Sequence, residues 1–266
     1  MITYPFKYRR AKSVADAETL LKGSPDAKLL AGGQTLIAAM KMRLANPSDL
    51  IDISNLKELS YIRASNDAVV IGAATTHFEV ATSTEVTRRI PALAYLASII
   101  GDPAVRHKGT IGGSLANNDP AADYPAAVLG LNATIKTNRR SIAADEFFTG
   151  MFSTALSDGE IITEVSFPIP KKASYKKFPN PASRYAMAGV FVAQTNSGVR
   201  VAVTGAGPCV FRVPAMETAL AKSFSTNAIE GIAIDANGLN SDIHGSAEYR
   251  AHLVSVMARR AVAEAA

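Results

Sequence analysis

The sequence has little cysteine: one thiol, Cys209, in 266 residues. A single thiol forms no disulfide within the chain, and it supplies too few ligands for an iron–sulfur cluster or a cysteine-rich zinc site. The four histidines are scattered along the chain and give no metal-binding pattern. We therefore expect no metal site on this chain, and a reducing, cytoplasmic compartment.

Long apolar runs are absent as well. No run approaches the ~18 residues that a membrane-spanning helix needs, and residues 1–7 lack the apolar segment of a secretory signal. We predict no membrane insertion. The composition, 48% apolar and 19% charged, is that of a globular chain long enough to bury a core.

Several catalytic motifs are also missing. The sequence contains no Gly-x-Ser-x-Gly elbow, no phosphate-binding P-loop and no Gly-x-Gly-x-x-Gly fingerprint. A serine hydrolase and a classical dinucleotide fold are unsupported, and no residue is predicted to be catalytic. There is no recognisable reading helix or cysteine–histidine finger, which argues against nucleic acid as a partner.

Acidic residues are unevenly spread. The chain has 28 Lys and Arg against 23 Asp and Glu, a net charge of +5, yet residues 165–216 contain no acid. That stretch carries seven basic residues: Lys171, Lys172, Lys176, Lys177, Arg184, Arg200 and Arg212. Such a field favours an anionic ligand or an acidic partner surface, and a solvated basic face is the alternative.

Periodicity and turn signals predict an α+β chain without internal repeats. Ser13 and Asp16 suggest a capping box for a first helix that Gly23 closes. Further helices are predicted at 36–43, 91–100, 120–129, 215–221 and 247–263. Strands are predicted at 28–31, 49–53, 68–73, 133–137 and 161–167, with a hairpin of 186–194 and 199–203. The prolines between 168 and 181 predict a linker between two domains.

Two glycine clusters are the strongest candidate site. They are residues 31–35 and residues 110–114, and each ends in hydroxyl or amide side chains. Glycine lets a backbone approach a ligand closely, and successive free N–H groups form an anion nest. Two nests in one domain suit a diphosphate, whereas two tight turns without a ligand are the alternative. The glycines at 205 and 207 are interpreted as a turn or strand bend.

The clusters lie within longer motifs that resemble a known family. The FAD-carrying medium subunits of molybdenum hydroxylases have similar motifs, and the carbon monoxide dehydrogenase-like type is the nearest. The resemblance covers nearly the entire chain in order. The motifs are Ala31-Gly32-Gly33-Gln34-Thr35-Leu36, Ile71-Gly72-Ala73-Ala74-Thr75-Thr76-His77, Val105-Arg106-His107-Lys108-Gly109-Thr110-Ile111-Gly112-Gly113-Ser114-Leu115-Ala116-Asn117-Asn118-Asp119-Pro120-Ala121-Ala122-Asp123, Arg184-Tyr185-Ala186 and Ser246-Ala247-Glu248-Tyr249-Arg250-Ala251-His252-Leu253.

This resemblance implies a fold and an assembly. The fold is a vanillyl-alcohol-oxidase (PCMH-type) FAD-binding domain over 1–170, with a β-α-β-like subdomain at about 1–55, followed by a smaller α+β CO-dehydrogenase-flavoprotein domain over 171–266. FAD would be bound non-covalently. Partner chains would carry the rest: a large subunit the molybdenum cofactor and a small subunit the [2Fe–2S] clusters, in a dimer of heterotrimers. The chain would pass electrons from those clusters to a terminal acceptor.

The resemblance also implies FAD contacts. These are Leu30, Ala31, Gly32, Gly33, Gln34, Thr35, Leu36, Ile100, Thr110, Ile111, Gly112, Gly113, Ser114, Asp123, Ile162, Lys177 and Tyr185. Each side chain has a structural alternative: Asp123 as a helix cap, Ile100 and Ile162 as core, Tyr185 as a strand residue and Lys177 as a solvated lysine. His107 departs from the family pattern, so the resemblance assigns it no role.

Two other functions stay open. One is a stand-alone flavin oxidase of the same fold class that attaches FAD covalently through histidine or cysteine. The other is a non-enzymatic nucleotide-binding or scaffold protein. The substrate and the terminal acceptor of the complex are open too, because a partner subunit would select the substrate.

Overall fold

The N-terminal unit is a small parallel sheet with two helices. The computed structural model describes residues 2–265, and this unit comprises β1 (Lys7–Arg10), α1 (Val14–Lys22), β2 (Lys28–Leu30), α2 (Leu36–Lys41) and β3 (Asp49–Asp52). The strand order is β1-β3-β2, with β3 parallel to both neighbours. The predicted β-α-β pattern is therefore present, and β1 adds a strand that the sequence did not signal.

Helix α1 begins as predicted but with different partners. The Ser13 hydroxyl accepts a hydrogen bond from the Asp16 N–H at 3.1 Å. The Asp16 carboxylate accepts from the Lys12 N–H at 2.8 Å, not from that of Ser13. Gly23 ends the helix in a right-handed conformation, φ −81°. The cap is thus correct, whereas the reciprocal half of the capping box is shifted by one residue.

An antiparallel five-stranded sheet forms the centre of the first domain. Its order is β4-β5-β10-β6-β7. The strands are β4 (Ile62–Ala64), β5 (Ala68–Gly72), β6 (Thr134–Thr137), β7 (Ser141–Ala143) and β10 (Ile162–Pro168), with a separate two-stranded ribbon of β8 (Phe148–Gly150) and β9 (Ser153–Thr154). A turn of 3-10 helix, Lys57–Leu59, precedes β4.

Short helices cover this sheet. They are α3 (His77–Thr82), α4 (Thr84–Arg89), α5 (Pro91–Ser98), α6 (Pro103–Arg106), α7 (Ile111–Asn117), α8 (Tyr124–Gly130) and α9 (Ala144–Phe147). Alternate strand residues such as Val69, Ile71 and Val165 are fully buried against them, as expected for a sheet with one face on the core.

One predicted helix is shorter than expected, and one further helix was not predicted. The helix predicted over 120–129 begins only at Tyr124, because the Asp119 side chain accepts from the Ala121 N–H at 2.9 Å and holds a turn there. Residues 111–117, which overlap the glycine cluster at 110–114 and were not predicted as a helix, form α7, whose first turn is capped by the Thr110 hydroxyl. A hydroxyl cap thus compensates for the low helix propensity of two glycines.

The C-terminal domain is a four-stranded antiparallel sheet with helices on one face. Its strands, in spatial and chain order, are β11 (Lys172–Pro179), β12 (Ala186–Thr195), β13 (Gly198–Thr204) and β14 (Phe211–Arg212). Its helices are α10 (Pro214–Lys222) and α11 (Ala247–Ala265), with a 3-10 turn at Thr226–Ile229. The predicted linker is wrong, since Lys172–Pro179 is strand β11. The predicted hairpin is present as β12–β13.

The sheet of the C-terminal domain lies between two hydrophobic cores. Tyr175, Phe191 and Ala202 belong to the core of the first domain. Val190 and Val201 face the opposite way and pack with α10 and α11. One sheet thereby closes both cores, with α5 and α8 of the first domain against its inner face.

The basic stretch is largely neutralised within the fold. Four of its seven cations pair with acids from elsewhere in the chain: Lys176 with Glu264, Lys177 with Asp123, Arg200 with Asp145, and Arg212 with Glu217. The local excess of positive charge in the sequence is therefore not an equivalent excess on the surface.

Candidate functional site

A cavity of about 590 Å³ lies where the two glycine clusters meet. That volume is within the range of small-molecule and cofactor sites. Both clusters line it, together with residues 100–101 after α5 and residues 183–185 before β12. We call residues 31–36 the first cradle and residues 109–114 the second cradle.

The first cradle has unused backbone donors. Among residues 2–265, no hydrogen-bond acceptor is paired with the N–H of Gly32, Gly33, Gln34 or Thr35. All four residues line the cavity. Gly33 has φ +70°, a left-handed conformation that favours glycine. Four successive free donors form the anion nest that the sequence predicts.

The second cradle differs, because the N–H groups of its glycines and of Ile111 are bonded within the fold. Ile111 donates to the Thr75 carbonyl at 3.1 Å and Gly112 to the Ala73 carbonyl at 2.8 Å. Gly113 donates to the Thr110 hydroxyl at 3.1 Å. This cradle is a fixed wall of the cavity, and it supplies no free nest of the predicted kind.

The two cradles are in backbone contact. A Cβ built on Gly32 would lie 2.1 Å from the Lys108 carbonyl oxygen and 2.8 Å from the Gly109 Cα. Real Cβ contacts are never this short, so Gly32 is required for the approach. Position 32 thus sets the distance between the N-terminal unit and the second cradle.

Asp123 lies at the cavity as part of a buried network. Its carboxylate accepts from the Tyr175 hydroxyl at 2.5 Å and from the Lys177 ammonium at 3.1 Å. Burial raises the pKa of Asp123, while Lys177 and Tyr175 act to lower it. As the N-cap of α8 it makes no side-chain capping bond, so the helix-cap alternative is wrong.

Lys177 does not line the cavity. Its side chain is 3% exposed, lies behind Asp123 and donates to the Ile99 carbonyl at 3.0 Å. The solvated-lysine alternative is therefore wrong, and the closeness of Lys177 to FAD stays a prediction. Strand β11 directs the Lys177 side chain inward, toward the Asp123 carboxylate. The two charges form a buried pair, and removing either one would leave the other buried without a counter-charge.

The segment after α5 is held by two cations. Arg106 donates to the Ile100 carbonyl at 3.0 Å and to the Gly101 carbonyl at 3.1 Å, while Lys177 holds the carbonyl of Ile99. Three consecutive carbonyls are thus bonded to basic side chains, as suits the C-terminal end of a helix. This fixes Ile100 and Gly101 as part of the cavity wall.

His77 is a cavity residue that the sequence did not indicate. The backbone N–H of His77 donates to the Gly109 carbonyl at 2.9 Å. The imidazole ring packs so closely on Gly109 that a Cβ added at that glycine would lie 2.5 Å from Nε2. Burial and the nearby Arg106 charge lower the pKa of His77 to about 4. The imidazole is therefore neutral at pH 7 and supports the second cradle.

The loop before β12 brings Arg184 and Tyr185 to the cavity. Asn180 closes this loop: its N–H donates to the Tyr185 carbonyl at 2.7 Å, and its carbonyl accepts from Arg184 at 2.8 Å. Arg184 has φ +62°, an uncommon conformation for a non-glycine residue. Tyr185 is 48% exposed, so it is not the packed strand residue of the alternative interpretation.

Glu160 also lines the cavity, and it is fully engaged. It accepts from Arg140 at 2.9 Å, from the Thr137 hydroxyl at 2.7 Å and from the Ser157 N–H at 2.8 Å. Arg140 contributes most to lowering the pKa of Glu160 to about 2. It is an ionised structural carboxylate and no proton acceptor.

The structure brings together fifteen of the seventeen predicted contact residues. They are Leu30, Ala31, Gly32, Gly33, Gln34, Thr35, Leu36, Ile100, Thr110, Gly112, Gly113, Ser114, Asp123, Ile162 and Tyr185. Lys177 and Ile111 are the exceptions, since the Ile111 side chain is fully buried in the core. The residues missed include His77, Gly101, Glu160 and Arg184. His77 and Arg184 stand inside motifs that carry the resemblance, which is the signal that could have found them.

Two features are absent from the described residues. Residues 2–265 contain no group of three or more His, Cys, Asp or Glu side chains placed to hold a metal ion. Within the same residues, no helix combines the length and hydrophobicity needed to cross a bilayer.

Comparisons with known proteins identify the family of both domains. A family model described as the FAD binding domain in molybdopterin dehydrogenase matches residues 4–170, and one described as the CO dehydrogenase flavoprotein C-terminal domain matches residues 173–265. The nicotine 6-hydroxylase medium subunit of Paenarthrobacter nicotinovorans is 37% identical, over 97% of this chain and 96% of that protein.

Carbon monoxide dehydrogenases are similar in sequence and structure. The medium chain from Hydrogenophaga pseudoflava is 36% identical, over 98% of this chain and 97% of that one. A chain of the reconstituted CO dehydrogenase from Oligotropha carboxidovorans superposes with a TM-score of 0.93 at 34% identity, over 100% and 99% of the two chains. The fold and cavity define a FAD-binding protein. The chain belongs to the family of FAD-binding medium subunits of molybdenum hydroxylases, as the sequence predicted.

The residues present fit FAD. The free donors of the first cradle suit its diphosphate, and Lys28 and Arg184 add positive charge to the cavity lining. Ile100, Ile162 and Tyr185 supply the apolar and aromatic surface that a flavin ring needs. Asp123 lines the cavity, and its carboxylate can accept a further hydrogen bond besides those from Tyr175 and Lys177.

Proposed function

We propose that this chain transfers electrons as the FAD subunit of a molybdenum hydroxylase complex. FAD, when bound, supplies two-electron redox chemistry. The chain binds and orients it: the first cradle holds the diphosphate, and Ile100, Ile162 and Tyr185 border the flavin ring. The chain has two domains: residues 1–170 bind FAD, and residues 171–266 supply the sheet that completes the hydrophobic core of the first domain. The two family matches support this division.

The single observation that carries the proposal is the row of free N–H groups at residues 32–35. These four residues line the cavity, whereas in the second cradle the N–H groups of Ile111, Gly112 and Gly113 are bonded within the fold. N–H groups that the fold leaves free at a cavity can exchange water for the oxygen acceptors of a ligand. A diphosphate has the charge and the several oxygen acceptors that four successive donors require.

Other chains must supply the remaining redox centres. With one cysteine, this chain lacks the thiolates of a [2Fe–2S] cluster. The proposed source of electrons is a small [2Fe–2S] subunit, fed by a large molybdopterin-binding subunit, in a cytoplasmic dimer of heterotrimers. The two relatives named above belong to enzymes for nicotine and for carbon monoxide, so similarity in this subunit does not select a substrate.

The covalent-flavin alternative has little support in the geometry. Cys209 lies outside the cavity and accepts from the Asn118 amide at 3.6 Å. His107 also lies outside it, stacked on the Phe78 ring at 4.0 Å. His77 reaches the cavity with a ring closely packed on Gly109. We therefore propose that FAD is held by non-covalent contacts alone.

The test is to purify the complex through a tag on this chain and measure flavin, molybdenum and iron. We expect FAD, molybdenum and iron in fixed ratio, and yellow colour that leaves the chain on acid denaturation. Removing FAD is expected to stop electron delivery to an added acceptor dye while the iron–sulfur signals remain reducible. Colour that stays with the denatured chain, in a preparation without molybdenum, would instead establish the stand-alone flavin oxidase.

A further inference from the structure

One surface of the N-terminal unit is not covered by any other part of the described chain. It comprises residues 2–10, which include β1, and residues 41–44, which follow α2; we call it the N-terminal face. The two segments touch, since the Arg43 guanidinium lies over the Tyr4 ring, 5.2 Å from its centroid. The face is therefore continuous.

The N-terminal face exposes large apolar side chains. Leu44 is 75% exposed, Met42 is 62% exposed and Tyr8 is 56% exposed, and Tyr4 and Phe6 are also exposed. Scattered single apolar residues are ordinary on a surface, but a cluster of them marks an interaction site. Aromatic residues, methionine and arginine are the types enriched at protein interfaces.

Strand β1 also offers a free edge. In the described structure it pairs with β3 alone, so the N–H and C=O groups on its other side have no strand partner. All four of its residues, Lys7–Arg10, are exposed. An edge strand of this kind is a template for pairing unless charge or cover blocks it.

The charge of the face selects its partner. No carboxylate of residues 2–265 lies within 4.0 Å of the Lys7, Lys41 or Arg43 cations, whereas Arg9 is paired with Asp49 at 2.7 Å. A second copy of this chain would bring the same cations against them, and like charges at an interface cost free energy. An acidic surface with apolar residues at its centre is complementary.

We propose that the N-terminal face is the docking surface for an acidic, partly apolar surface of another subunit of the complex. The inference rests on the proposed function for the existence of that complex. Helix α2 connects the face to the site: it begins at the first cradle and ends beside Met42, six residues or about 9 Å away. Docking here places a partner within one short helix of the bound FAD.

Three double variants of the full chain test the proposal. Lys7→Glu with Arg43→Glu reverses charge on the face, and Met42→Ser with Leu44→Ser removes apolar surface. Lys171→Glu with Lys172→Glu is the matched control, since it changes net charge equally on exposed residues of the basic stretch. Each chain is tagged, expressed in its own cells and purified at low and at high salt. Molybdenum and iron per chain report assembly, and FAD content reports the cofactor site.

Both variants of the face are expected to lose about tenfold or more of the co-purifying molybdenum and iron, because like-charge contact or lost apolar burial costs over ~1.4 kcal/mol. They should keep FAD wherever the unassembled wild-type chain keeps it, and the Lys171/Lys172 control should assemble normally. Face variants that assemble like wild type, or a control that fails as badly, would overturn the proposal. Self-association of the isolated wild-type chain that the charge reversal abolishes would overturn it as well. Absence of molybdenum and iron from the wild-type preparation would count against the proposed function itself.

Discussion

At the scale of single residues, Gly32 is the position least able to accept a side chain. We predict that Gly32→Ala loses most bound FAD and lowers the melting temperature, because its Cβ would lie 2.1 Å from a backbone oxygen of the second cradle. Flavin absorbance per chain and thermal unfolding measure the two effects. Gly23→Ala is the control, since its Cβ meets ordinary contacts of 3.5 Å or more.

Gly113 should be more tolerant than Gly32. A Cβ there would lie 2.9 Å from the Thr110 hydroxyl, a side-chain atom that can rotate away, while the branched Gly113→Val also fills space at the cavity wall. We expect FAD retention to be highest in Gly113→Ala, lower in Gly113→Val and lowest in Gly32→Ala. A Gly32→Ala chain that purified with full FAD would contradict the contact between the cradles.

Asp123 should matter for stability as well as for FAD. Removing it in Asp123→Ala leaves the Lys177 ammonium buried without a counter-charge, which costs about 3–5 kcal/mol. Urea unfolding of the FAD-free chain measures this cost, and the double variant with Lys177→Met should recover part of it. Equal instability of the single and double variants would mean that Asp123 does not act through Lys177. FAD titration then reports any separate effect on binding, expected as tenfold to hundredfold weaker affinity for about 1.5–3 kcal/mol.

His77 should make the chain less stable in mild acid. Its folded pKa of about 4 lies below the unfolded value, so the unfolded chain binds more protons between about pH 6.5 and 4 and stability falls as pH falls through that window. The loss reaches roughly 3 kcal/mol at the acid end. Urea unfolding at several pH values in this range gives the free energy of unfolding, which should fall less steeply with falling pH for His77→Gln than for wild type. His252→Gln, at an exposed position, should behave as wild type.

At the scale of elements, the first cradle should select flavins by their phosphates. Four free N–H groups at residues 32–35 recognise a diphosphate and not a ring. We predict that the FAD-free chain binds FAD tightly, FMN more weakly and riboflavin least. Fluorescence quenching in titrations of the three flavins measures this order, and equal affinity for FAD and riboflavin would remove the anion role of the cradle.

The sequence predicted both cradles but not the difference between them. Glycine spacing signals where a backbone can turn and approach a ligand, and residues 31–35 and 110–114 were found on that basis. Whether a given N–H stays free depends on carbonyls brought by other elements, here those of Ala73 and Thr75. Such long-range partners are not encoded in local spacing, and the same reason explains why Lys177 lies behind Asp123.

Strand β11 shows why a proline-rich segment was mistaken for a linker. Pro168, Pro170, Pro179 and Pro181 are turn signals, yet they stand at or beyond the ends of this strand. β11 is an edge strand, paired with β12 alone in the described sheet, and edges tolerate proline at their ends. Residues 174–177 (Ser, Tyr, Lys, Lys) show no alternation of polar and apolar side chains, so the local sequence carried no clear strand signal.

At the scale of the whole molecule, the two domains share one core. We predict that residues 1–170 alone do not fold to a soluble domain. Without the C-terminal sheet, whose Tyr175 and Phe191 belong to the same core, the apolar side chains of α5 and α8 would be exposed to water. The readouts are solubility and binding of a dye specific for exposed apolar surface, compared with the full chain. A soluble fragment with native FAD affinity would show that the second domain is dispensable for the first.

The shared sheet also constrains how members of this family can exchange parts. A chimera that takes its FAD-binding half from one relative and its C-terminal half from another must match helices α5 and α8 to the inner face of the C-terminal sheet. It must also join an aspartate from one parent to a tyrosine and a lysine from the other, since Asp123 is bonded to Tyr175 and Lys177 across the domain boundary. Recombination between the halves should therefore succeed only where that triad is inherited as a unit.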